Sequence, residues 1–210
     1  MNTRRAARAA IAIAAAIVAA DAGAACRARR APVVVAVTFV NSWRMADDAL
    51  SGDEQAIVRR ATLETLRGAY DRFGVRFEEA ASAARIIRVE DTPYSRPFFG
   101  AAGMTYAVTR ASSVRFDVLV NAELAAAGCA SPARCAKSRR ELLEGLGRGV
   151  GATAAHELGH QAGFGFALDS PCDDCYDGRA STSYAHFFGR KHWSARALSL
   201  MREQLPPALH

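Results

Sequence analysis

No apolar run in this chain is long enough to cross a membrane. The longest stretch, Ala9 to Ala20, falls short of the roughly 20 residues a spanning helix needs and is flanked by small residues. No basic stripe interleaved with aromatics occurs either, so a nucleic-acid partner is not expected although the chain carries a formal charge of +6. Internal repeats are absent, and so is any linker-like stretch that would divide two domains. Cysteine is sparse and odd in number, with five in 210 residues, and histidine is equally sparse at five. A large disulfide scaffold is therefore excluded, and each histidine becomes worth placing.

The apolar run that is present reads as an export signal. Arg4, Arg5 and Arg8 precede it, and Ala22, Gly23, Ala24 and Ala25 follow, the order of a secretory signal peptide cleaved between Ala22 and Ala25. An uncleaved N-terminal anchor is the alternative. Loss of residues 1–25 removes three arginines and Asp21, leaving +4 on a single domain over 26–210. Cys26 follows Gly-Ala-Ala, similar to a bacterial lipobox except that Gly23 stands where that pattern has leucine; an unpaired cysteine is the favoured reading, and lipidation would be the route to a membrane once the signal is removed. The other four cysteines form two local pairs, Cys129 with Cys135 and Cys172 with Cys175. In an exported protein both pairs can be disulfides. For Cys172-Asp-Asp-Cys175 a metal-binding pair and a redox CxxC compete with the disulfide. The surrounding Pro171, aspartates and Gly178 favour the disulfide, because they are turn formers and negative charge raises thiol pKa.

With half its residues apolar, the chain can bury one good core. Residues 32–40 form a continuous β-branched run, the mark of a buried strand. Ser51 and Glu54 make a capping box for a helix with Ile57, Val58, Ala61, Leu66, Ala69, Tyr70 and Phe73 on one side, ended by Gly74. Residues 75–77 and 86–89 read as strands, 91–103 as a loop, and 104–108 and 114–120 as two more strands. In the last of these Arg115 and Asp117 alternate with Val114, Phe116, Val118 and Val120, giving one exposed face. Ser138 and Glu141 form a second capping box. The helix it opens meets Gly145, Gly147, Gly149 and Gly151, each costing about 1 kcal/mol against alanine, so a break is expected before a separate helix over 150–162. Ser194 caps a C-terminal amphipathic helix stopped by Pro206-Pro207. The pattern is α/β (α+β), a mixed twisted sheet with crossing helices.

His156-Glu157-Leu-Gly-His160 falls on the 150–162 helix. Histidines four apart stand one turn above each other on one face, close enough to bind one cation, with Glu157 on a neighbouring row. Zinc held this way lowers the pKa of a bound water to about 7, and the glutamate is placed to take its proton.

The run continues Gln-Ala-Gly163, so residues 156–163 resemble the metzincin superfamily of zinc endopeptidases, whose pattern is HExxHxxGxxH. The order of elements over 32–165 is similar as well. The resemblance implies a metzincin-like mixed sheet with an active-site helix, Zn2+ held by His156 and His160, Glu157 as general base, and Gly163 as the turn after the helix. It also implies a peptide or protein substrate. The family's third histidine would fall at 166, where this chain has Phe166, which cannot bind zinc. Asp169 and His186 are the candidates for that third bond. His186 beside Phe187 and Phe188 can equally be a hydrogen-bonded core histidine. His192 and His210 are weaker candidates. The family's methionine turn has no counterpart, since no methionine lies between His160 and Met201. An exported, monomeric zinc metallopeptidase is the expectation, and a non-catalytic binding protein on the same scaffold is its rival. A thiol oxidoreductase using Cys172 and Cys175 is a third.

Overall fold

The computed structural model describes residues 31–40, 43–91, 101–106, 108–163, 170–178 and 183–208. The segment expected to be a signal, Cys26, Phe166, Asp169 and His210 lie outside them. Among the described residues a five-stranded mixed sheet is flanked by helices.

The β-branched run becomes β1 (Val33–Phe39), whose middle residues Val35, Ala36 and Val37 are fully buried. After a short hairpin, β2 (Arg44–Met45) and β3 (Asp48–Ala49), the Ser51 capping box starts α1 (Gly52–Ala69). The helix stops at Ala69, before Gly74. Tyr70 and Phe73 still reach the core from the turn that follows. Strands β4 (Val75–Glu78) and β5 (Arg85–Glu90) then pair parallel with β1 on either side. Next come β6 (Gly103–Tyr106) and β7 (Ala111–Arg115), an antiparallel pair, with β7 parallel to β5. The sheet order is β4-β1-β5-β7-β6, so β6 is an edge. The expected strand over 104–108 thus ends two residues early.

The strand expected at 114–120 is not formed. Only Val114 and Arg115 are strand, and α2 (Phe116–Ala126) begins at once. Phe116, Leu119, Val120, Ala122, Glu123 and Leu124 are its buried positions, a helical spacing that the alternating valines obscure. Arg115, expected on an exposed face, is buried and paired with Asp117, whose backbone N–H in turn donates to Asp91.

A 3-10 turn (Pro132–Arg134) sits inside the Cys129–Cys135 disulfide. The second capping box then opens α3, which runs unbroken from Arg139 to Gln161. The glycines that suggested a break are instead points of close approach on two faces. A Cβ at Gly147 would lie 2.6 Å from Val58 O and from Ala61 Cβ, and one at Gly151 would lie 2.7 Å from Thr62 O, so this face lies against α1. A Cβ at Gly145 or Gly149 would collide with Phe188 or Phe187. Tertiary contact offsets the helix propensity that four glycines forgo. Helices α4 (Tyr184–Phe188) and α5 (Ala195–Gln204) complete the fold, capped by Ser183 and Ser194. Trp193, Ala197 and Met201 enter the core.

Candidate active site

The C-terminal end of α3 is tied to the sheet by four strand-borne groups. Arg85 Nη1 donates to Gln161 O at 2.5 Å, neutralising carbonyls at the negative end of the helix. Gln161 Nε2 donates to Ile86 O at 2.9 Å and to Ser112 Oγ at 2.8 Å. Thr105 of β6 meets the last turn at Glu157. On the opposite side, the Tyr70 hydroxyl donates to Ala155 O at 2.9 Å. Gly163 has φ 94°, a backbone position that strains any side chain, so the chain leaves the helix through a turn that glycine makes cheaply.

His156 and His160, both half-buried, bring their Nε2 atoms to 3.0 Å. Two nitrogens bound tetrahedrally to one zinc at 2.0–2.1 Å stand about 3.3 Å apart, so the pair fits a shared cation with small adjustment. His156 Nδ1 lies 2.9 Å from Tyr176 O. A carbonyl only accepts, so Nδ1 carries the proton and Nε2 is left with the lone pair that a metal needs. This is the outer bond that metal-binding histidines usually make. Tyr176 follows directly on the Cys172–Cys175 disulfide, which closes the loop carrying that carbonyl.

Glu157 is buried against the edge strand. Its Oε2 accepts a 2.5 Å hydrogen bond from Thr105 Oγ1. Gly103 leaves the space its carboxyl group fills, since a Cβ there would lie 2.9 Å from Glu157 Cδ. Thr105 Oγ1 is also 2.9 Å from Ser112 Oγ. One proton order satisfies the whole row: Gln161 Nε2 donates to Ser112 Oγ, Ser112 to Thr105, and Thr105 to the carboxylate. Donors that line up toward one anion strengthen each other. Thr105, Gly103, Ser112 and Gln161 were not singled out from sequence. Their link to the motif is spatial, across β6 and β7, and no local spacing encodes it.

His186, one of the two candidates for a third ligand, is buried with both ring nitrogens engaged. Nε2 is 2.9 Å from Gly149 O and 3.1 Å from Thr153 Oγ1, and Nδ1 is 3.4 Å from Lys191 Nζ. Burial, with Lys191 adding to it, holds its pKa down to about 3, so the ring is neutral. That is the arrangement of a core histidine locking α4 onto α3. Asp169, the other candidate, lies outside the described residues. Both expected disulfides are formed, and His192 stands beside Cys175 rather than beside the histidine pair. Among the described residues no helix is long and apolar enough to cross a membrane. No protein-family profile, curated protein or solved structure matches the chain.

Proposed function

We propose that this chain is an exported zinc-dependent metallopeptidase with Glu157 as general base. The observation that carries the reading is the convergence of His156 and His160 through Nε2, with the His156 ring held by the Tyr176 carbonyl. Zinc in this position would supply Lewis acidity, polarising the scissile carbonyl and lowering the pKa of water. The chain's own residues do the rest. His156 and His160 hold the cation, and the engagement of both His186 nitrogens favours Asp169 for the third bond. Glu157 accepts the proton of the attacking water and passes it to the leaving amine, while Thr105 orients its carboxylate. Among the described residues nothing pairs with the outer edge of β6, so an extended peptide can add there as a further strand, its backbone alongside the residues that seat Glu157. The two disulfides agree with export into an oxidising compartment.

Glu157→Gln tests the mechanism: it should keep zinc and abolish peptide cleavage, and hydrolysis at the wild-type rate would refute the role. Zinc content of Asp169→Ala and His186→Ala beside wild type tests the third bond. Loss in the first and retention in the second is expected. Phe166 supports the rival reading, a binding protein on a peptidase scaffold, and a purified protein without stoichiometric zinc would favour it.

A further inference from the structure

The CxxC loop contains more than a disulfide. Ligand atoms of Cys172, Asp174, Cys175 and His192 all lie within 4.8 Å of one another. Cys175 Sγ is 3.6 Å from His192 Nε2, and Cys172 Sγ is 2.9 Å from Asp174 Oδ1. For a tetrahedral zinc with bonds of 2.3 Å to sulfur and 2.0–2.1 Å to nitrogen, the sulfur-to-nitrogen edge is about 3.6 Å, which the Cys175 to His192 pair already has.

The positions of Asp174, Cys175 and His192 do not depend on the sulfur–sulfur bond. Cys175 and His192 form a parallel bridge, with His192 N donating to Asp174 O at 3.0 Å and Tyr176 N donating to His192 O at 2.7 Å. The Asp177 carboxylate accepts from Ser194 N at 2.9 Å and from Ser194 Oγ at 2.6 Å, and Ser170 N donates to Asp177 O at 2.8 Å. Main chain and one buried carboxylate therefore keep residues 174–176 against 192–194 whether or not the cysteines are joined.

We propose that Cys172, Asp174, Cys175 and His192 form a second metal site that exchanges with the disulfide and takes a borderline-soft divalent cation of the zinc class. An external dithiol or phosphine delivers two electrons, the S–S bond breaks, and two thiols form as the reductant is oxidised. The cation then displaces both thiol protons, and two metal–sulfur bonds form beside the Asp174 carboxylate and His192 Nε2. Two thiolates, an imidazole and a carboxylate suit zinc over magnesium or calcium. Either state closes the loop next to Tyr176, whose carbonyl holds His156. The site stands independently of the function proposed above, because it shares no ligand with the histidine pair.

Cobalt titration of the full chain tests it. After reduction by a phosphine and removal of the excess without air, one equivalent of Co2+ should produce a thiolate-to-cobalt charge-transfer band that the oxidised protein lacks. His192→Ala alters an exposed side chain, so the fold is kept, and it should weaken that binding by at least about tenfold. The Cys129→Ala/Cys135→Ala variant should keep the band, which excludes the other pair as its source. The His156→Ala/His160→Ala variant should keep it too, so failure of the first centre and failure of this one are separable. No band in the reduced wild type, or wild-type affinity in His192→Ala, overturns the proposal.

Discussion

Thr105 donates to Glu157 from a strand about fifty residues away in the chain, and receives from Ser112 in turn. In the proposed mechanism its value is orientation: a carboxylate free to rotate would spend less time aimed at the water it deprotonates. Thr105→Val, of nearly the same shape, should lower kcat by about 10–100-fold with KM and zinc content little changed, and Thr105→Ser should restore most of it. Steady-state kinetics with metal analysis checks this, and an equal loss of zinc would mean that the residue only supports the fold. The proposed trio of His156, Glu157 and His160 was legible from its i, i+4 spacing alone. Its supports were not, because Gly103 and Thr105 acquire meaning only when β6 lies on α3. His186 shows the reverse case. Its residue type suggested a ligand, and its place between Gly149, Thr153 and Lys191 makes it a packed, neutral ring.

Helix α3 owes its length to its neighbours. Four glycines in seven residues forgo about 1 kcal/mol each of helix propensity, and the missing side chains let α1 and α4 approach closely. Gly147→Ala should therefore destabilise the protein by about 1–3 kcal/mol, since the new methyl meets the Val58 carbonyl and Ala61, and the better propensity does not compensate. Gly68→Ala, on the exposed face of α1 with nothing within 4 Å, should stabilise by up to about 1 kcal/mol. Urea unfolding of the two variants decides it, and a shift of the same sign in both would refute the packing account. Both capping boxes were readable before folding because their partners lie three residues apart. The boundary at 115–116 was not. Val114, Phe116, Val118 and Val120 satisfy a period of two as written, and only contact with α3 selects the helical set Phe116, Leu119 and Val120.

Two buried titrating groups shape the stability of the whole molecule. Glu123 is fully buried, and burial pushes its pKa from 4.5 up to about 8, with Arg148, the Leu146 backbone and Lys137 pulling against that rise. Between those values the folded state holds a proton that the unfolded chain releases, so Glu123 makes stability fall as pH rises. His186 acts oppositely. Its pKa falls from 6.5 to about 3, so the unfolded chain binds the extra proton and stability rises with pH across that range. The slopes cancel where the ranges overlap. Stability should be flat from pH 4.5 to 6.5 and should fall by about 2 kcal/mol from pH 6.5 to 8. Glu123→Gln should remove the decline on the alkaline side. Denaturant midpoints of wild type and Glu123→Gln across this range test both statements, and an alkaline decline of the same size in both proteins would refute the role of Glu123.

Sequence by itself determined what depends on near neighbours: the β-branched strand, the capped helix starts, the local cysteine pairs, and the two histidines with their glutamate. Each is encoded within a few residues, where backbone geometry alone fixes which side chains meet. Tertiary structure decided the rest. Packing between helices kept α3 whole through its glycines, the edge strand oriented Glu157, and the CxxC loop supplied both the carbonyl that holds His156 and a second set of ligand atoms beside His192. Those relations join residues far apart in the chain, and they exist only once burial and hydrogen bonding across the sheet have brought the segments together.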